Sequence, residues 1–163
     1  MASYIASRIG IGKSEVHSAP RPGEETEAVP ARGDLVGRLD IPRLGLSAMV
    51  LEGVDDQTLK LGVGHVPGTA MPGRRGNVAL AAHRDTFFHP LHGIRASDAI
   101  ELTTLRRTYR YTVDSVHIVD PDDAAVLRDT PRPSLTLVTC YPFHWVGNAP
   151  KRFVVQATRV ESN

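Results

Sequence analysis

A mostly β chain, closing or nearly closing into a barrel of short strands with small helices between them, is what the sequence predicts. Three observations carry that expectation. Short runs of β-branched and apolar residues recur along the chain, bounded by Gly, Pro, Asn and Asp. Stretches with helical character are brief and lie between those runs. No internal repeat, heptad pattern or low-complexity tract competes with that reading, and no run of about 18 apolar residues encodes a membrane-spanning helix.

Residues 1–33 stand apart from the rest. Pro20, Pro22 and Pro30 fall there with Glu24, Glu25 and Glu27, and large apolar residues are few. Such a stretch buries too little surface to offset its ordering entropy, so residues 1–33 read as a flexible arm or linker. Met1–Arg8 is a candidate short helix. Met1–Ile11 does not read as a signal peptide, because Arg8 and Gly10 interrupt its apolar character.

The globular part runs over residues 34–163. Leu35–Ile41 reads as a strand ended by Pro42, and Leu46–Leu51 as its partner across the turn Pro42–Gly45. Asp55–Leu61 fits a short helix, capped by Asp55 or Asp56 and closed by Gly62. Gly62–Gly76, rich in Gly and Pro, reads as loop. Asn77–His83 is a compact apolar run, expected as a buried strand. A turn of helix is expected in Phe87–Ile94. Asp98–Leu102 and Arg107–Val119 look like paired strands, with Tyr109, Tyr111, Val113 and Ser115 on one face and Arg110, Thr112 and Asp114 on the other. Pro121 and Ala124–Leu127 place a short helix in Asp120–Asp129. Ser134–Cys140 and Arg152–Val160 are the last two strands.

Composition narrows the function classes. A chain of 163 residues suits one domain with a real core. Its net charge of +1 gives no bulk attraction to nucleic acid, and 6% aromatic content argues against a single-strand stacking platform. A single cysteine forms no internal disulfide and builds no thiolate metal site alone.

That cysteine, Cys140, ends the run Thr136–Cys140 just before Pro142, which cannot donate a ladder hydrogen bond. A lone thiol at a strand terminus is well placed for a nucleophile. It then needs a base to supply its thiolate. Among the seven histidines, His17 lies in the arm, His117 inside a strand, and His89 and His92 on the helical turn, facing solvent. His144 sits on a loop rich in aromatics. His65 and His83 remain. His83, ending an apolar strand, shares the geometry inferred for Cys140, and is read either as the base or as a structural histidine satisfied by backbone groups. Arg152, opening the final strand, would sit at the same barrel end as Cys140 if the last two strands are antiparallel neighbours. There it offers a charged planar fork to an oxyanion; a solvated edge charge is the plainer alternative.

Thr136–Cys140, Thr-Leu-Val-Thr-Cys, resembles the Thr-Leu-x-Thr-Cys signature of sortases, the cysteine transpeptidases of bacterial cell envelopes. Three more stretches agree in order. Gly64–Ala70 resembles the loop before the catalytic-histidine strand, Asn77–Asp85 that strand itself, and Lys151–Val155 the strand bearing the catalytic arginine. Tyr141-Pro142-Phe143 and Gly147–Pro150 are most like the class D branch. The resemblance covers about Asp34 to Val160.

It implies a sortase-type closed eight-stranded β-barrel with short helices over residues 34–163. It assigns Cys140 as nucleophile, His83 as proton-transfer partner and Arg152 as the oxyanion or carbonyl-binding residue. Thr139 carries over as a substrate hydrogen-bonding residue, and His65 as structural or accessory. The implied reaction cleaves a C-terminal sorting signal of the Leu-Pro-x-Thr-Gly kind between Thr and Gly through a thioacyl-enzyme, then transfers the acyl group to an amine. The implied partners are secreted proteins or pilins bearing such signals, and an amine acceptor on a peptidoglycan precursor or a pilin; nucleic acid is not among them. The implied place is the extracytoplasmic face of the bacterial plasma membrane. Sortases are normally tethered by an N-terminal helix. None is present here, so residues 1–33 read as the linker of a trimmed chain.

No cofactor is expected. Asp120, Asp122 and Asp123 raise the possibility of calcium, but acids at a helix start favour its dipole and three carboxylates make a weak calcium site. Zinc held by Cys140 and histidines lacks helical or finger spacing. Two other functions compete: a non-catalytic barrel that binds envelope peptides, and a cysteine peptidase that only hydrolyses.

Overall fold

Alternation of side chains decides how the first strand meets the core. In β1 (Leu35–Ile41), Leu39 and Ile41 are buried while Arg38 is exposed. Gly45, at φ 65°, completes the tight turn that reverses the chain into β2 (Leu46–Glu52). The computed structural model describes residues 29–160. The expectations for the Met1–Arg8 helix, for His17 and for most of the 1–33 arm fall on residues outside that range. Within it, the Gly33 N–H already donates to Glu52 O at 2.7 Å.

After β2 the short helix α1 (Asp56–Leu61) forms as its caps predict. Asp55 accepts from the Thr58 N–H at 3.2 Å and Gly62 donates to Thr58 O. The glycine is extended, with φ −177°, so it is not a left-handed cap. Its reason is space: a Cβ there would lie 2.6 Å from Met49 O.

The next segment is largely loop, as expected, but not wholly. Val63–His65 forms β3, which pairs parallel to β2 and antiparallel to β4 (Asn77–Ala81). Three residues flanked by Gly62 and Pro67 carry too little pattern to be told from loop; pairing on both sides makes them a strand. β4 stops at Ala81, two residues short of the expected end.

A 3-10 turn at His89–Gly93 leads to β5 (Ala99–Thr103) and the long β6 (Thr108–Val119). The turn after β1 is clamped to the start of β5: Arg43 meets both carboxylate oxygens of Asp98, at 2.6 and 2.5 Å. That hydrogen-bonded guanidinium holds the Asp98 carboxyl below its ordinary value.

The face assignment for β6 fails at one point. A bulge between Val113 and Ser115 leaves Asp114 unpaired and shifts the phase. Beyond it Val116, paired with Val155, packs on the core, while Ser115 pairs with Gln156 on the other face. Ala124–Leu127 makes a single 3-10 turn capped by Asp123, and β7 (Ser134–Tyr141) and β8 (Lys151–Arg159) complete the chain.

The strands close in the order β1-β2-β3-β4-β7-β8-β6-β5. Closure leaves no free sheet edge. The barrel interior holds the main core, including Leu39, Ile41, Leu80, Phe88, Ile100, Leu102, Tyr111, Leu135, Leu137 and Val155. A second, smaller cluster sits outside the barrel wall, where Val54, Leu59, Val66, Ala79, Ala81, Val138 and Val154 meet α1 and the β6–β7 connection. No helix among the described residues is long and apolar enough to cross a membrane.

Candidate active site

Alternation along β7 separates two sets of side chains. Leu135 and Leu137 point into the barrel core; Thr136, Val138 and Cys140 occupy the outer face. β8 runs antiparallel beside β7, and Cys140 is directly opposite Arg152. Residues directly opposite in an antiparallel pair project from the same face, with Cβ atoms about 4.5–5.5 Å apart. Both are buried, Cys140 at 3% and Arg152 at 5% exposure. The antiparallel relation on which the placement of Arg152 depended is therefore present, and the solvated edge charge is not.

On the other side of β7, β4 runs parallel, with Ala81 beside Val138. The Ala82 N–H donates to Val138 O at 3.3 Å, and Thr139 Oγ1 donates to Ala82 O at 2.8 Å. His83 lies two residues beyond Ala81 and Cys140 two beyond Val138, so both follow the last β4–β7 pair. His83 lies just past the strand and not within it, and is half-buried. Its carbonyl accepts from Phe88 N, which starts the 83–88 turn and holds the residue at the barrel end. β7 and β8 thus present Cys140 opposite Arg152, and His83 follows the end of the neighbouring β4.

Arg152 is held from behind. Its Nη1 donates to Ala149 O at 3.2 Å and to Lys151 O at 2.9 Å. The guanidinium also lines a cleft on the outer face, floored by Val138 and Val154 and walled by Val119, Val126, Leu127 and the acids at 120–123. Of those acids, Asp120 pairs with Lys151 and Asp123 caps the 3-10 turn by accepting from the Ala125 N–H at 3.1 Å.

Thr139 sits beside the nucleophile candidate in sequence. It is wholly buried, on the face opposite Cys140, and its hydroxyl is committed to Ala82 O. That bond ties β7 to the end of β4.

The remaining histidines are elsewhere. His65 is 1% exposed; its Nδ1 lies 2.6 Å from Glu52 and its Nε2 2.9 Å from Ala70 O, so it braces the barrel wall. His117 is exposed and meets Ser115 Oγ at 2.9 Å. His89, His92 and His144 are exposed, with ring contacts among themselves and to Phe143.

One residue escaped the sequence reading. Arg84 is 7% exposed, and its Nη2 donates to Trp145 O at 2.9 Å and Gly147 O at 2.8 Å. It ties the segment after His83 to the loop that follows Cys140. An arginine next to a buried run carries no local sign of such a distant partner.

Comparison with known proteins bears on this arrangement. Residues 39–160 match the family model described as the sortase domain. Sortase D of Bacillus subtilis (strain 168) is 35% identical over 132 residues, covering 80% of this chain and 67% of that protein. Sortase A of Bacillus anthracis is 31% identical over 125 residues, 74% of this chain and 58% of its own length. The solved structure of a Clostridium perfringens Sortase D5 transpeptidase superposes with a TM-score of 0.74 at 28% identity, over 82% of this chain and 83% of that one. With a matched domain model, an eight-stranded barrel and relatives that include class D members, the chain belongs to the sortase family.

Proposed function

We propose that this sortase cleaves a Leu-Pro-x-Thr-Gly-like sorting signal between Thr and Gly and transfers the acyl group to an amine of the cell envelope. One observation carries the reading above all: Cys140 and Arg152 are register partners, Arg152 lines a cleft, and His83 follows the end of the strand beside β7.

The chemistry follows from those positions. The signal peptide lies along the cleft, where the partly exposed Val119, Val126 and Leu127 suit an apolar residue. The Cys140 thiolate attacks the Thr carbonyl carbon. Arg152 donates to the oxygen that takes up negative charge; it is buried and already oriented, so it needs little reorganisation as that charge develops. His83 gives its proton to the departing glycine amine. The thioacyl-enzyme keeps the acyl group activated, so an incoming amine forms the new amide without nucleotide hydrolysis. His83 then takes the amine's proton, and the thiolate leaves.

The acceptor amine is supplied by a peptidoglycan precursor or a pilin, and the acyl donors are secreted proteins or pilins. The working place is the extracytoplasmic face of the plasma membrane. No metal enters the reaction, and added calcium is expected to leave the rate unchanged.

The test is mass spectrometry of the enzyme mixed with sorting-signal peptides. Wild type is expected to gain the mass of the acyl fragment on Cys140, and Cys140→Ala neither to form the adduct nor to cleave the peptide. Turnover by Cys140→Ala would remove the reading. Adding hydroxylamine or oligoglycine separates transfer from hydrolysis: a new amide product identifies a transpeptidase, and free acid alone a peptidase.

A further inference from the structure

The cleft wall formed by Val126 and Leu127 belongs to the β6–β7 connection, which carries only one short 3-10 turn. A wall with so little structure of its own must be fixed from outside. The fixing point is Asn77, the first residue of β4, at the barrel end away from Cys140.

Asn77 is 3% exposed, and its amide uses all its hydrogen-bonding capacity. Nδ2 donates to Val126 O at 3.0 Å and to Arg128 O at 3.1 Å. Oδ1 accepts from Thr136 Oγ1 at 2.7 Å and from Ser134 Oγ at 3.3 Å. The reversed amide would set an oxygen against two carbonyls, so the orientation is fixed by its partners. The Asn77 main-chain N–H also donates to Asp129 Oδ1 at 3.1 Å. Close approach of the connection depends on Gly76, where φ is 105° and a Cβ would lie 2.0 Å from that same oxygen. One buried side chain therefore links the outer face of β7 to the carbonyl of a residue that lines the cleft.

We propose that Asn77 is a positioning residue for substrate binding: it holds Val126 and Leu127 against the cleft floor, and so sets how tightly the donor peptide is gripped. It touches neither Cys140 nor the reacting carbonyl. This inference rests on the reading of that cleft as the donor-peptide site.

The test is steady-state cleavage of a sorting-signal peptide by Asn77→Asp, which keeps the acceptor oxygen and removes both donors to the connection. KM is expected to rise about tenfold with kcat within about threefold, because the loss falls on binding and not on the chemical step. Alkylation of Cys140 by iodoacetamide, a reagent too small to need the cleft, should stay at the wild-type rate. Amide exchange at 126–129 should quicken. Unchanged KM, or a fall in kcat with KM constant, overturns the proposal. So does a change in Cys140 alkylation that matches the change in KM, which would mark general loosening of the site. If wild type cleaves no such peptide, the functional reading fails and takes this inference with it. If Asn77→Asp does not fold, Thr136→Val replaces it, removing one support of the amide, with a smaller KM rise expected and the same overturning outcomes.

Discussion

The two faces of the β4–β7–β8 sheet are made from the same strands and are used differently. Inward, Val78, Leu80, Leu135, Leu137, Phe153 and Val155 form an apolar layer. Outward, the sheet changes along its length. Asn77, Ser134 and Thr136 make a hydrogen-bonded polar end. Ala79, Ala81, Val138 and Val154 make an apolar middle. Cys140 and Arg152, opposite each other, make the far end, where the proposed chemistry lies. A strand buried on both faces leaves little freedom to either, yet each face answers to a different demand. The inner one sets stability, and the outer one sets chemistry that the inner one holds rigid. Substitutions at adjacent positions in sequence should therefore fail in different ways.

The sharpest expected contrast is at Arg152. Arg152→Ala removes the donor beside Cys140 and should lower kcat by about 10²–10³, the usual scale for losing one oxyanion donor. Cleavage kinetics on a sorting-signal peptide measure it, with circular dichroism to show that the barrel persists. Arg152→Lys should recover only part of the rate, because a point charge does not replace the planar fork. Full activity in Arg152→Ala would break the contrast between the faces.

Leu137→Ala tests the inner face. Leu137 is fully buried, three residues before the nucleophile. Truncation should cost about 2–5 kcal/mol of stability through lost burial and the cavity left behind. Urea denaturation reads that loss directly. At temperatures where the variant remains folded, its KM should stay near the wild-type value. A large change in KM with little change in stability would show that the inner face also reads substrate.

How far these two faces were legible in the sequence follows from how local each signal is. β7 and β8 were readable because their apolar runs are long and bounded by Pro and Gly. The short turn between β1 and β2 was readable for the same reason. β3 was not, since three residues beside glycine and proline acquire strand geometry only through neighbours distant in sequence. The bulge at Asp114 was equally silent: a period of two continues through Ser115 on paper, and only the pairing with β8 breaks it. At the candidate site, the residue types of Cys140, His83 and Arg152 were visible, and the strand register then set Arg152 opposite Cys140. Arg84 and Asn77 were invisible as contributors, because their partners lie 49 to 63 residues away.

Thr139 gives the smallest expected effect and the most direct check on which face a residue serves. Its position next to Cys140 favours a substrate role, while its buried hydroxyl on Ala82 O favours a structural one. Thr139→Val keeps the shape and removes the donor, leaving the Ala82 carbonyl without that bond. A loss of about 1 kcal/mol is expected from one buried neutral hydrogen bond, read as a shift in the urea midpoint. Because Ala82 directly precedes His83, a small secondary fall in kcat is also expected, about two- to fivefold, with KM unchanged. The split between the two constants decides the matter. A rise in KM without loss of stability would mean that the threonine touches the peptide after all, and that the inner and outer faces are not separate at the strand end. Loss of stability with KM constant would place Thr139 with Leu135 and Leu137, one residue from the nucleophile but serving the barrel.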